Sequence, residues 1–372
     1  MIPVFEPIIG EDEIKAVVAA LRSGEISGSF GKAIDEFESK FARYAGCKYG
    51  VAVTSGTTAL QLAVDAAGIK SGDEVLVSAS TNIATALAAV HNNAIPVPVD
   101  SENITWNLDI DLIEPLITKR TKAIIPVHLY GHPVDMDRLM KIARKHGLIV
   151  IEDCAESHGA TVRGKMTGSF GDAGCFSFYA NKIITTGEGG MVVTNDKKLA
   201  EKLRLLRNLA FTTPRFRHIY AGYNFRMTNY QAAMGLAQFK KIKKIISEKR
   251  RVAHAYNRYL GEIRGLQLPV ELEWAKNVYW MYALLVKPEF GVSRDGLMEW
   301  LRNDGIDTRT FFCPMDQQPV LRSLKGFRAV PCPVAGNLWK NGLYLPSSIN
   351  LSDATIRKIS ASIRRCHEQG NK

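Results

Sequence analysis

No C-x-x-C pair occurs among the six cysteines, which are scattered as Cys47, Cys154, Cys175, Cys313, Cys332 and Cys366. That spacing argues against a zinc site and against a disulfide framework, and it fits a reducing compartment. No apolar run is long enough to span a bilayer. The first residues, "MIPVFEPIIGEDEIK", have neither the basic n-region nor the apolar h-region of a secretory signal. The expectation is a cytoplasmic protein with no membrane partner. The chain also lacks internal repeats, low-complexity segments and any recognisable DNA- or RNA-binding motif.

What is there is an ordinary globular composition, 46% hydrophobic and 23% charged, carrying a net charge of +11. An excess of that size suits anionic small substrates as well as nucleic acid. The densest basic segment, "FKKIKKIISEKRR" from Phe239 to Arg251, repeats its apolar residues (Phe239, Ile242, Ile245, Ile246) at helical spacing. Its lysines are therefore read as the solvated face of a helix, not as a nucleic-acid surface, which would need aromatic interleaving.

A chain of 372 residues exceeds the usual single core, so a large domain and a smaller one are expected. Up to about residue 195, strand-like and helix-like segments alternate. "YGVAVTS", "DEVLVSAS", "IPVPVD", "KAIIPVHLYG" and "LIVIEDCA" read as strands. "TTALQLAVDAAG" (ending in Gly68), "IATALAAVHNN", "DIDLIEPLIT" and "DMDRLMKIARKHG" read as helices. The strand runs are short and nearly continuously apolar, as in strands covered on both faces. Such alternation implies right-handed crossovers and a mostly parallel sheet. Beyond it come the helix "DKKLAEKLRLLRNLA" and one long helix from "TNYQAAM" to about Ile263, able to bridge two domains. A small α/β unit closes the chain, with strands "VYWMYALLV" and "DTRTFFC" and helices "SRDGLMEWLRNDGI" and "SDATIRKISASIRRC". The expected division is residues 10–245 and 246–372, the second joined by residues 1–9.

In open α/β sheets ligands bind beyond the carboxyl ends of the strands, and three segments fall there. "TSGTTAL" links a strand to a helix through Gly56 and Thr57. Helix-start N–H groups favour a phosphate and glycine permits close approach, although the same residues also cap helices that bind nothing. In "IVIEDCAESHGA", Asp153 ends a buried strand, where a carboxylate needs a cationic or hydrogen-bonding partner; Glu156 and His158 follow. A helix cap and a satisfied loop histidine are the plain alternatives for Asp153 and His158, and no cluster has metal-ligand spacing. In "SFYANKIITTGEGGMVVT", Ser177, Asn181 and Lys182 lie where a strand gives way to a turn. A phosphate cradle, a carboxylate for a cationic ring nitrogen and a lysine amine together make the set that pyridoxal phosphate requires.

The chain resembles the DegT/DnrJ/EryC1/StrS family of pyridoxal-phosphate-dependent sugar aminotransferases. "SGTTALQLA", "GDEVLVSA", "TKAIIPVHLYGHPVDMD", "VIEDCAESHGA", "GSFGDAGCFSFYANKIITTGEGGMVVTND", "GYNFRMTNYQAAMGLAQ", "NVYWMY" and "LYLPSS" stand in the family's order. The resemblance implies an α/β, fold-type I architecture and a homodimer with shared active sites. Lys182 would be the lysine that links covalently to the cofactor, and Asp153 the partner of its pyridinium nitrogen. Glu156 would sit near the ring hydroxyl. Gly56, Thr57 and Ser177 would hold the phosphate, and Asn224 would reach the phosphate of the neighbouring subunit. Glu188 and Arg226 are weaker candidates at the subunit border. Lysine at position 182, where some sugar-dehydrating relatives carry histidine, favours amino transfer.

Two positions depart from the family pattern. Asn82 replaces an aromatic residue that stacks on the cofactor, and Asp316 replaces a histidine of the sugar pocket. The implied reaction moves the amino group of L-glutamate to a nucleotide-linked 4-keto-6-deoxyhexose, most narrowly GDP-4-keto-6-deoxymannose at C4. A UDP- or dTDP-linked keto-sugar, aminated at C4 or C3, is the alternative within the class. A non-catalytic regulatory protein is the alternative outside it.

Overall fold

The computed structural model describes residues 1–29, 31–214 and 216–371. After two helices, α1 (Glu11–Ser23) and α2 (Lys32–Tyr44), the chain lays down β1 (Tyr49–Val53), β2 (Glu74–Ser78), β3 (Ile95–Val99), β4 (Thr121–Ile125) and β5 (Ile149–Asp153). A short hairpin follows, β6 (Thr161–Val162) with β7 (Lys165–Met166). Then come β8 (Ala173–Ser177) and β9 (Gly190–Thr194). The main sheet has the order β1-β9-β8-β5-β4-β2-β3. Its β3, β2, β4, β5 and β8 run parallel, and β9 is antiparallel to both neighbours. Val51, Val53, Val75, Val77, Ile125, Ile151 and Val192 are fully buried in it. That explains why these strands read as continuous apolar runs, with helices covering both faces.

The helices α3 (Gly56–Ala66), α4 (Ala84–Val90), α5 (Met136–His146) and α6 (Lys197–Arg207) fall in the expected segments. "DIDLIEPLIT" does not form an α-helix. It makes two 3-10 turns, Ile110–Leu112 and Glu114–Leu116, because Pro115 offers no N–H and its ring obstructs the preceding turn. The "KAIIPVHLYG" strand likewise stops at Ile125, just before Pro126. The chain then turns through Tyr130 at φ 51° and Gly131 at φ 101°. Left-handed backbone is natural for the glycine and strained for the tyrosine.

The long helix expected to Ile263 is two helices, α7 (Asn229–Lys240) and α8 (Ile242–Leu260), broken at Lys241. α7 packs on α1 and α2, and α8 packs on the last helix, Asp353–Gly370. The lysines of this region are not all solvated. Lys241 pairs with Asp12 and Glu13, and Lys249 is buried. Past α8, β10 (Leu266–Gln267), β12 (Tyr282–Val286), β13 (Arg309–Thr310) and β14 (Gly342–Leu345) form an antiparallel sheet ordered β10-β12-β14-β13. β11 (Ala275–Lys276) extends the β6–β7 hairpin. "DTRTFFC" contributes only two residues to its strand before Phe312 leaves for the cavity described next.

Candidate active site

A cavity of about 300 Å³ opens at the carboxyl ends of β1, β2, β5 and β8. Its walls include Gly56, Thr57, Asn82, Asp153, Glu156, Ser177, Lys182 and Glu188, with Trp280, Phe312 and Tyr344 facing them.

The β1–α3 turn supplies one end. The Ser55 hydroxyl accepts from the Thr58 N–H at 3.1 Å, and the Thr58 hydroxyl accepts from the Ser55 N–H at 3.0 Å. This reciprocal cap leaves the N–H groups of Gly56 and Thr57, which a helix cannot satisfy internally, at the cavity wall. A Cβ at Gly56 would stand 2.7 Å from the Ser177 Cβ. Only glycine lets the helix start and the Ser177 side chain close on one spot, and that spot suits an anion.

Asp153 ends β5 and is buried. Its Oδ2 accepts from the Thr85 hydroxyl at 2.8 Å and its Oδ1 from the Ala155 N–H at 3.1 Å. Burial still pushes its pKa up, against Thr85, the Ala155 N–H and the Lys182 charge. A buried carboxylate in that condition is short of positive charge, and a protonated ring nitrogen would supply it. Glu156 is buried too. Its Oε2 accepts from the Tyr130 N–H at 2.7 Å, and burial lifts its pKa to about 7 although Lys182 and that N–H oppose the shift.

Lys182 follows β8 in a turn closed by its own N–H on the Tyr179 carbonyl at 2.9 Å. Its Nζ lies 3.8 Å from the centre of the Trp280 ring. Burial lowers its pKa, and Glu156 and Asp153 partly restore it. A lysine so placed is a usable neutral amine nearer neutrality than an exposed one. His158 lies in the turn between β5 and β6. It is buried against the rings of Phe41, Phe176 and Phe178, and burial pushes its pKa down to about 3.

Asn82 is both a cavity residue and a cap, since its Oδ1 accepts from the Ala84 N–H at 3.0 Å. Three candidates lie outside the cavity. Asn224 is exposed and pairs through its backbone with Asn208. Arg226 donates to the Asn208 side chain at 2.6 Å. Asp316 accepts weakly from the Cys332 N–H at 3.4 Å, in a turn anchored by the Met315 N–H on the Ala79 carbonyl. Asp316 is thus not among the residues that line this cavity.

His128, Glu152 and Cys154 come close enough to suggest a metal centre. The lone pairs of Glu152 and His128 are already engaged. Glu152 accepts from the Gly168, Phe170 and Gly171 N–H groups and meets His128 Nε2, while His128 Nδ1 accepts from the Val134 N–H. The cluster pins the β5–β8 connection.

Sequence reading missed Thr85, Tyr130 and Trp280. Thr85 stands four residues after Thr81, and the two hydroxyls meet at 3.3 Å. That helical spacing was a usable signal. Nothing in the sequence marks Tyr130 as left-handed. Trp280 stood inside "NVYWMY" and read only as a strand residue.

The chemistry is consistent throughout: an anion cradle, a buried carboxylate short of a cation and an amine of lowered pKa face one cavity, and the residues present fit pyridoxal phosphate. Comparison with known proteins agrees. The model of the DegT/DnrJ/EryC1/StrS aminotransferase family matches residues 7–364. The chain is 42% identical to the GDP-perosamine synthase of Caulobacter vibrioides over 97% of each protein, and 39% identical to that of Vibrio cholerae over 98% of each. Among solved structures it is similar to Helicobacter pylori PseC, an aminotransferase involved in the biosynthesis of pseudoaminic acid. The TM-score is 0.93 at 28% identity, over 99% of each chain. The chain belongs to the DegT/DnrJ/EryC1/StrS aminotransferase family and is a pyridoxal-phosphate-dependent sugar aminotransferase.

Proposed function

We propose that this enzyme converts GDP-4-keto-6-deoxymannose to GDP-perosamine with L-glutamate as amino donor. The observation that carries the reading is the near-full-length identity to the two perosamine synthases, combined with one cavity that holds Lys182, Asp153 and the Gly56 cradle. Pyridoxal phosphate supplies a carbonyl that exchanges with amines and a ring that accepts electrons. The chain's own residues do the rest. The Gly56 and Thr57 N–H groups and Ser177 would hold the phosphate, and Asp153 would keep the ring nitrogen protonated. Lys182 would carry the cofactor and, as a free neutral amine, take up and return a proton at Nζ. Glu156, largely poised between its two forms near pH 7, would face the ring hydroxyl.

We place the enzyme in the cytoplasm, as a homodimer in which the exposed Asn224 reaches the partner's cofactor phosphate. Residues 10–245 form the cofactor domain of this reading and 246–372 the smaller one. Among the described residues no helix is long and apolar enough to cross a membrane.

The test is the mass and NMR spectrum of the product after incubation with glutamate and GDP-4-keto-6-deoxymannose. An equatorial amine at C4 of the GDP-sugar supports the reading, and an axial one, the C4 epimer, counts against it. Turnover only with a UDP- or dTDP-linked keto-sugar, or an amine at C3, overturns the substrate assignment. Shared sites are tested by mixing Lys182→Ala and Asn224→Ala chains, each defective alone. Recovered turnover after subunit exchange supports sharing, and none counts against it.

A further inference from the structure

Lys249 has no catalytic place in the reading above, yet it is among the largest fully buried side chains. It reaches from α8 into the junction between the two sheets. Its Nζ donates to the Trp280 carbonyl at 2.8 Å and to the Ser347 carbonyl at 2.7 Å. The Phe5 ring centre lies 4.8 Å away. No carboxylate pairs with it among the described residues, and burial alone pulls its pKa down to about 7. A methionine of similar length would avoid that desolvation. The position therefore needs donors. Even the neutral amine keeps two N–H groups, enough for both carbonyls.

Those carbonyls belong to the residues just before β12 and just after β14, where Tyr282 pairs with Leu345 and the Tyr282 N–H meets the Ser347 hydroxyl at 2.9 Å. Trp280 is held at two further points. Its backbone N–H donates to the Tyr130 carbonyl at 3.0 Å, and its indole N–H to the Asn181 carbonyl at 2.7 Å. So fixed, its ring covers the Lys182 Nζ at 3.8 Å. Lys182 and Lys249 also border the same narrow void, together with Ile183, Thr185 and Phe5.

We infer that Lys249 is a positioning residue for Lys182, acting through the Trp280 carbonyl to hold the indole over the reacting amine. The inference rests on Lys182 being that amine. Trp280 covers Nζ on one side, Glu156 and Asp153 are the carboxylates whose charge acts on it, and His158, kept neutral mainly by burial, is the imidazole that feels the Lys182 charge. Loosening the indole gives up a cation–π contact that favours the ammonium, but it admits water, whose solvation of the charge outweighs that loss and reduces the free amine at neutral pH.

The experiment measures pH-dependent labelling of Lys182 by an amine-reactive reagent, read by peptide mass spectrometry on the full cofactor-free chain. The variants are Lys249→Met, Trp280→Leu and the double variant. Each single change should lower the reactive fraction of Lys182 at pH 7 by roughly five- to tenfold. The double variant should match Trp280→Leu alone, because Lys249 acts only through the indole. Unchanged Lys182 labelling in Lys249→Met overturns the inference. So does a Lys249→Met effect that persists in full without the indole. Should Lys249→Met fail to fold, Lys249→Gln, which keeps a neutral donor for one carbonyl, should give a partial shift, and no shift overturns the inference equally. Labelling reads the amine without turnover, so an error in the proposed reaction would appear in the product assay and leave this result standing.

Discussion

The wall formed by the ends of β1, β5 and β8 brings an ammonium, two buried carboxylates and a helix start to the cavity, whereas the facing wall brings Trp280, Phe312 and Tyr344. The first wall holds groups whose protonation can change. The second has aromatic faces that exclude water and set how strongly those groups feel one another. Burial is the leading cause of the shifts at Lys182, Asp153 and Glu156, so the chemistry of one wall depends on the cover of the other.

The difference can be broken most severely at Lys182. Lys182→Ala should reduce turnover by at least about 10³-fold and leave the melting temperature of the cofactor-free protein within a few degrees of wild type. Steady-state kinetics and a thermal melt check both halves. Asp153→Asn comes next. It should lower turnover by about 10²- to 10³-fold and weaken cofactor binding. It should not destabilise the cofactor-free fold at neutral pH, because the amide oxygen can accept from the Ala155 N–H while the Thr85 hydroxyl turns to accept from the amide N–H and donate to Thr81, and no titrating carboxyl is buried. Spectroscopic titration of the cofactor together with a melt would separate these effects.

Glu156 tests the dependence on burial directly. Its pKa rises from an ordinary 4.5 to about 7 on folding, so the folded chain binds the proton more tightly than the unfolded one. Its contribution is fully present below pH 4.5 and is lost as pH rises through 7. Glu156→Gln should therefore gain stability relative to wild type as pH increases across that window, by on the order of 2 kcal/mol. Denaturant titrations of both proteins at several pH values would show a constant difference if the carboxyl were not perturbed.

The smallest effect is expected at Asn82, where Tyr would put an aromatic ring on the charged wall. Loss of the bond to the Ala84 N–H should lower stability by about 1 kcal/mol or less, while cofactor affinity is retained or tightened. Lower stability with unchanged cofactor dissociation and unchanged half-reactions would leave Asn82 as a cap only.

The two walls also differ in how far the sequence disclosed them. The charged wall was legible because strand ends in a parallel sheet converge, and because Gly56, Asp153 and Lys182 each sit directly after a recognisable strand or turn. The aromatic wall depends on which distant segments fold back over those ends. Trp280 lies over Lys182 with its N–H on the carbonyl of the left-handed Tyr130 and its own carbonyl on the buried Lys249, both far from it in sequence. Helical periodicity marked Lys249 as one more solvated lysine, since a pattern of apolar residues says nothing about two carbonyls arriving from another sheet. Pro115 and the break at Lys241 were similar failures. Local pattern carried the reading across positions where a missing N–H or a tertiary contact ended the helix.

The proposed reaction requires Lys182 to be the amine that carries the cofactor. Borohydride reduction of the holoenzyme fixes pyridoxal phosphate to whichever lysine holds it, and peptide mass mapping then identifies the site. A single phosphopyridoxyl-bearing peptide containing Lys182 is expected, absent from Lys182→Ala. Modification at Lys249 or another lysine, with Lys182 unlabelled, would contradict it.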